Sequence, residues 1–241
     1  MPMSQSFLQR EFLDPPFTPA MLRHVVVRRG ILAAVRRVLP LLSGTVLDLG
    51  CGYQPYRELF LSAPSTASKY LGMDYAGNQY LGTEVDVLWD GGHFPLMESS
   101  IDCVIATEFF EHCDSPDAVF AEIARTLKPG GLLMLTVPFL WPLHEVPHDV
   151  CRYTPFTLER KITSAGFKDV QIEALGGISA ALAIMVSLWV TTRITRPMYQ
   201  RVAIALALPI VRWLCYMDTP PTSFPNNTMI TGLSVIARKP S

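Results

Sequence analysis

The stretch "VLDLGCGYQPYRELF" (46–60) constrains this chain more than any other. An apolar, β-like run reaches an acid, Asp48, and then breaks at Gly50, Cys51 and Gly52. Glycines at such a place let the backbone turn tightly and approach a ligand closely. A helix start follows, with Pro55 suited to the first helical position. Its unpaired N–H groups favour an anionic partner, while Asp48 can hold a cationic one. A ligand carrying both an amine and a carboxylate fits that pairing. Cys51 reads as a small residue with no neighbour that would make its thiol a nucleophile.

Buried-strand runs recur along the chain at 44–50, 69–75, 84–90, 101–110, 131–139, 168–175 and 229–240. Helical patterns alternate with them at 115–127, where Ser115 is the N-cap candidate and "KPGG" the stop, and at 154–167, which ends near Gly166. Residues 1–17 read as irregular, and 18–42 as a basic helix broken near Gly30. Alternating strands and helices imply a mainly parallel sheet covered on both faces. Ligands then bind beyond the carboxyl ends of the strands.

Those ends carry acids. Asp74 closes the second strand, where a carboxylate can accept from ribose hydroxyls. Asp90 closes the third, before Gly91, where it can accept from an adenine amino group while a backbone N–H meets a ring nitrogen. Amino acid, ribose and adenine together describe S-adenosylmethionine. The rival reading, a dinucleotide dehydrogenase, needs a third glycine where Pro55 stands.

In "VLDLGCG", "GMDYA", "DGGHFPLMESSIDCVIATEFFEH" and "EIARTLKPGGLLMLTVP", in that order, the chain resembles the class I S-adenosylmethionine-dependent methyltransferases of the type 11, small-molecule kind. The resemblance implies an α/β, Rossmann-like, seven-stranded sheet with helices on both faces. It places Asp48, Gly50, Cys51 and Gly52 at the methionine end, Asp74 and Tyr75 at the ribose, Asp90 and Gly91 at the adenine, and Glu108 beside the cofactor. Only about nine residues separate Asp74 from the third strand, too few for the family's intervening helix.

"HEVPH" (144–148) has the letters of a zinc-protease motif, but that motif needs a helix and here contains Pro147. No C-x-x-C pair occurs among the five cysteines, so spacing along the chain points to no metal. His144, His148 and, after the fourth strand, His112 read instead as candidate bases for removing an acceptor proton. Arg152 and Tyr153 read as substrate contacts. The segment 144–167 resembles a loop and helix of bacterial type 11 enzymes linked to cell-surface sugar or lipid metabolism. "DPPF" (14–17) follows no buried strand and reads as a turn rather than an amino-methyltransferase signature.

The chain has 241 residues, a net charge of −1 and 17% charged residues against 49% hydrophobic ones. Near-neutral charge excludes a global nucleic-acid-binding signal, and the greasy balance calls for an apolar segment. That segment is 175–218, before the last strand; residues 174–192 carry no charge, and the second run holds Pro209 and Arg212. Readings for it are a buried or homodimer-forming helical pair, a hairpin entering a membrane surface with help from the basic helix, or a spanning hairpin. The organisation expected is an N-terminal segment (1–43) and a methyltransferase domain (44–241) with a helical insertion (176–226). The function expected is cytoplasmic methyl transfer to a small molecule, with a lipid-linked or sugar compound as the candidate acceptor and membrane association left open. The alternative is an inactive methyltransferase-like scaffold that binds partners or membrane through 175–218.

Overall fold

The computed structural model describes residues 5–75 and 85–241. Seven strands form one sheet in the order β3-β2-β1-β4-β5-β7-β6. β1 (Ser43–Leu49) lies between β2 (Thr66–Tyr75) and β4 (Ile101–Thr107), parallel to both. β3 (Val87–Trp89) extends the sheet beyond β2, and β5 (Leu127–Pro138) extends it beyond β4, again parallel. β7 (Gly232–Arg238) enters antiparallel between β5 and β6 (Lys168–Ala174). β1 and β4 run as near-continuous apolar residues because both faces of the sheet are covered.

One face carries α1 (Gln5–Leu8), a π-helical turn (Gln9–Leu13) and α2 (Val25–Val38). Their Phe12, Ile31, Val35 and Val38 share a buried cluster with Val46, Tyr70, Ile105 and Met134 of the sheet. The first 17 residues, expected to be irregular, are helical from Gln5 to Leu13 because Phe12 has this core to enter. Over its described residues the segment before 43 is therefore a layer of the same domain. Gly30 does not break α2: a Cβ there would lie 3.1 Å from the Leu175 carbonyl oxygen, so glycine allows the close approach of helix and strand exit. α3 (Arg57–Phe60) is a single turn.

The other face carries α4 (Pro116–Thr126) and α5 (Pro155–Ser164), packed over Phe110, Leu133, Leu135 and Val235. Ser115 occupies the N-cap of α4 without a side-chain bond, whereas Thr154 caps α5 by accepting from the Thr157 N–H, an arrangement worth about 1 kcal/mol. The "KPGG" stop lies inside the extended start of β5, with Gly130 at φ +73°.

The insertion forms α6 (Ile178–Arg193) and α7 (Pro197–Met217). The uncharged run at 174–192 gives only a 16-residue helix, and among the described residues the run with Pro209 and Arg212 is the one long and apolar enough, by length and composition, to cross a membrane. Ala183, Val190, Ala207 and Val211 pack between the two helices and onto Leu22. Asp218 closes the base of the hairpin, accepting from the N–H groups of Gly177 and Ala180 at 2.8 and 2.9 Å. Pro138 pairs with Gly232, so the hairpin rejoins the sheet at the carboxyl edge of β5.

Candidate active site

The carboxyl edges of β1, β2, β4 and β5 converge on one rim. At the end of β1 the chain reverses through Gly50 (φ +69°) and Gly52 (φ +47°), conformations that favour glycine. Gly50 also lacks room for a side chain, since a Cβ would meet the Phe109 ring at 2.5 Å. Asp74 locks the turn: its Oδ2 accepts from the Gly52 N–H at 2.7 Å and its Oδ1 from the Tyr75 N–H at 2.7 Å. The residue read as a ribose acceptor thus also shapes the turn beside it. Cys51 is buried, its thiol facing Gly72 and pushed far up in pKa by burial and then by the charge of Asp48.

Asp48 is buried and accepts from the Tyr70 hydroxyl at 2.7 Å. Burial raises its pKa to about 7, against the lowering effect of that hydrogen bond. Tyr56, just past the glycine turn, is buried with its hydroxyl lacking a hydrogen-bond partner. Further along the rim, Tyr75 is exposed and meets Trp89 edge-on at 6.5 Å. Gly91 (φ +94°) sits against the Tyr75 ring. Asp90 is exposed and accepts from the Gly92 N–H at 2.9 Å, which folds its own turn. Residues 76–84, which hold the short connection noted above, lie outside the described residues.

After β4, Glu108 sits at φ +50° and its Oε1 accepts from the Thr136 hydroxyl at 2.8 Å. Burial raises it to about 7, opposed by that bond and by the charges of Arg28 and Arg152. A 3₁₀ turn (Phe110–His112) then brings Glu111 and His112 against the loop after β5. His112 Nε2 lies 3.2 Å from His144 Nε2, and each is 3.8 Å from Glu111 Oε1. Asp149 accepts from the His144 backbone and faces its Nδ1, both at 3.1 Å. Arg152 chelates Asp149 with both guanidinium nitrogens and holds its carboxyl far below the usual range.

Three candidates land elsewhere than expected. Arg152 turns its guanidinium to Asp149 and to the Cys151 carbonyl, so it braces the loop rather than reaching for a substrate. Tyr153 is 1% exposed, with its hydroxyl donating to the Phe110 carbonyl at 3.2 Å; it is a core residue under the 3₁₀ turn. His148 is exposed and contributes its carbonyl, 3.2 Å from His112 Nδ1, while its ring is outside the cluster. "HEVPH" is not helical, as Pro147 implied. Sequence reasoning missed Glu111 and Tyr56 as members of the rim. Only the adjacency of Glu111 to His112 was there to be read.

Residues 47–135 match the family model described as "Methyltransferase domain". Together with the fold, this match supports a class I S-adenosylmethionine-dependent methyltransferase. The rat thiol S-methyltransferase TMT1B is 31% identical over 152 residues, covering 54% of this chain and 62% of the relative. The malonyl-[acyl-carrier protein] O-methyltransferase of Methylococcus capsulatus is 25% identical, covering 66% and 65% of the two chains. The chain thus spans less than two thirds of the length of these curated relatives. Among solved structures, a Haemonchus contortus phosphoethanolamine N-methyltransferase 2 with bound phosphomonomethylethanolamine and S-adenosylhomocysteine superposes with a TM-score of 0.55 at 14% identity, covering 99% of this chain and 61% of the other. That likeness shows the fold.

The cofactor is S-adenosylmethionine, and the rim fits it. The glycine turn leaves backbone where a Cβ would intrude, and the unpartnered Tyr56 hydroxyl is a donor that a ligand carboxylate can satisfy. Asp48 carries a buried acid beside that turn, and the Tyr75 ring and Gly91 lie together further along the rim.

Proposed function

We propose that this protein transfers the methyl group of S-adenosylmethionine to a nucleophilic atom of a small-molecule acceptor, with the loop cluster around His112 and His144 lowering the acceptor's proton affinity. The cofactor supplies an electrophilic methyl on a sulfonium; the protein's task is alignment and proton removal. The observation that carries the reading is one rim with two halves: a locked glycine turn on β1 and, across β4, two imidazoles whose Nε2 atoms lie 3.2 Å apart.

The Nδ1 atoms of both rings face acceptors, His144 the Asp149 carboxylate and His112 the His148 carbonyl. Each ring therefore carries a proton on Nδ1 and turns Nε2 towards the other ring. Asp149, held by Arg152, fixes the orientation of His144 as a positioning residue. Gly50 and Phe109 wedge the turn against β4, which keeps the two halves in register.

The acceptor class proposed is an apolar or lipid-linked small molecule. The hairpin α6–α7 rises from the same carboxyl edge and leaves Leu182, Met185, Trp189, Leu206, Ile210 and Trp213 exposed. Such a face suits a lipid surface, with a second copy of the chain as the competing occupant. Membrane help from α2 is limited, because Arg28 and Arg29 stack on Phe12 and Phe17, and Arg37 pairs with Glu173.

The test is release of S-adenosylhomocysteine by the purified full chain with a panel of apolar thiols, carboxylic acids and amines. Turnover is expected with a subset, and His144→Ala should cut it by about 10²–10⁴-fold with cofactor affinity unchanged. Cofactor binding without turnover across the panel would favour the inactive scaffold, for which 175–218 would be the partner-binding surface.

A further inference from the structure

Among the described residues, the buried side-chain polar atoms without a hydrogen-bond partner are the Tyr56 hydroxyl and both carboxylate oxygens of Glu111. Glu111 is 0% exposed. A buried carboxylate with no partner is costly, by several kcal/mol when ionised, and persists where something absent from the polypeptide completes it. The same carboxylate faces two bare imidazole nitrogens. Three lone-pair-bearing atoms pointed at one another are reconciled by a shared proton or by a cation between them, and the 3.8 Å reach from Glu111 to each imidazole is too long for a shared proton to complete its carboxylate.

The spacing defines what that cation can be. The three edges of the triangle are 3.2, 3.8 and 3.8 Å. A point equidistant from the three atoms lies about 2.1 Å from each, within the zinc–nitrogen and zinc–carboxylate range of about 2.0–2.2 Å. The surroundings have the form that metal-binding histidines adopt. Each ring offers Nε2 inward and hands its Nδ1 proton to an outer acceptor, Asp149 for His144 and the His148 carbonyl for His112. Asp149 is in turn clamped by Arg152.

We infer that Glu111 Oε1, His112 Nε2 and His144 Nε2 form a binding site for one divalent transition-metal ion of the zinc type, with Asp149 as the outer residue that orients His144. Two imidazoles and one carboxylate leave at least one coordination position open, the pattern of metal sites that hold water or a substrate atom. An oxygen, nitrogen or sulfur of the acceptor bound there loses its proton at lower pH than in water. The ligands come from two loops, so the local letters of "HEVPH" do not describe the site: His144 is a ligand, while Glu145 and His148 are not. Ion binding is read on the protein alone, and it stands or falls separately from methyl transfer.

The experiment titrates chelator-stripped full-length protein with Zn²⁺ in competition with a chromophoric chelator, and with Co²⁺ by visible absorption. One ion per chain is expected, with a Co²⁺ ligand-field band. His112→Ala and His144→Ala should each weaken Zn²⁺ binding by at least about 100-fold, and Asp149→Asn by about 10–100-fold. His148→Ala should bind as the parent does, since only its carbonyl takes part. Circular dichroism separates loss of ligand from loss of fold, and the Co²⁺ band of the parent decides if a variant does not fold. Absence of a saturable ion in the parent would overturn the inference and leave a shared proton in the cluster. So would undiminished binding in His112→Ala, or an equal loss in His148→Ala.

Discussion

Glu111 and Glu122 are the same residue type, both buried, at 0% and 8% exposure, in neighbouring parts of the chain, and the molecule treats them in opposite ways. Under α4, the carboxylate of Glu122 is chelated by Arg125 at 2.8 and 2.9 Å, accepts from the Phe94 N–H at 2.7 Å and meets His93 at 3.2 Å. Arg125 goes on to donate to the Leu96 and Phe94 carbonyls. At the loop cluster Glu111 has no donor. Arg125 bonding, followed by the Phe94 N–H and His93, lowers Glu122 to about 2, whereas burial drives Glu111 well above the carboxylate range, with the charge of Glu108 adding to it. Asp48 stands between them, with one phenolic donor and a pKa of about 7. The gradation separates scaffold from site: polar groups that hold the fold are completed by the polypeptide, whereas Glu111 and Tyr56 on the rim have no partner from it.

A large loss is expected from breaking this contrast at Glu122. Glu122→Gln should destabilise the protein by on the order of 2–3 kcal/mol at pH 7, measured by chemical denaturation. Its folded pKa lies below the unfolded one, so the wild-type advantage is full above about 4.5 and is lost as pH falls towards 2. A difference that stays constant over that range would refute the ion-pair account.

Asp48 should give the opposite slope. Its folded pKa is raised, so the unfolded chain ionises first as pH rises from about 4 to about 7. Wild type should lose stability relative to Asp48→Asn over that window, by at most about 1.4 kcal/mol per pH unit, and the difference should level off above 7. Parallel pH–stability curves for the two proteins would count against it. Glu111 itself should show no loss. In chelator-treated protein at neutral pH, Glu111→Gln should leave stability unchanged or raise it, because no hydrogen bond is broken and a buried carboxylate is removed. A loss comparable to that of Glu122→Gln would reveal a donor and erase the contrast.

The sheet was legible in the sequence because its strands are short apolar runs bounded by glycine, proline and acids, and those boundaries are local. The glycine turn and Asp74 were legible for the same reason: a strand end, a turn and an acid at the next strand end follow from chain order. The loop cluster was not. Glu111 and His112 come from the end of β4, His144 and Asp149 from the loop after β5, and only the parallel pairing of those strands brings them together. The zinc-protease letters therefore pointed at the wrong grouping, even though one of their histidines belongs to the cluster. Tyr153 follows an arginine in a polar loop and looks like a surface aromatic; its burial comes from the Phe110 turn folding over it. Gly30 misled in the other direction, since a helix tolerates glycine where a neighbouring backbone needs the space.

The clamp of Asp218 on Gly177 and Ala180 has a consequence for how such a chain can diversify. An excursion that departs and returns at one carboxylate is a cassette: it can be lengthened, shortened or exchanged without re-threading the strands beside it. The machinery around the sulfonium can then stay constant while the surface that gathers acceptors evolves on its own clock.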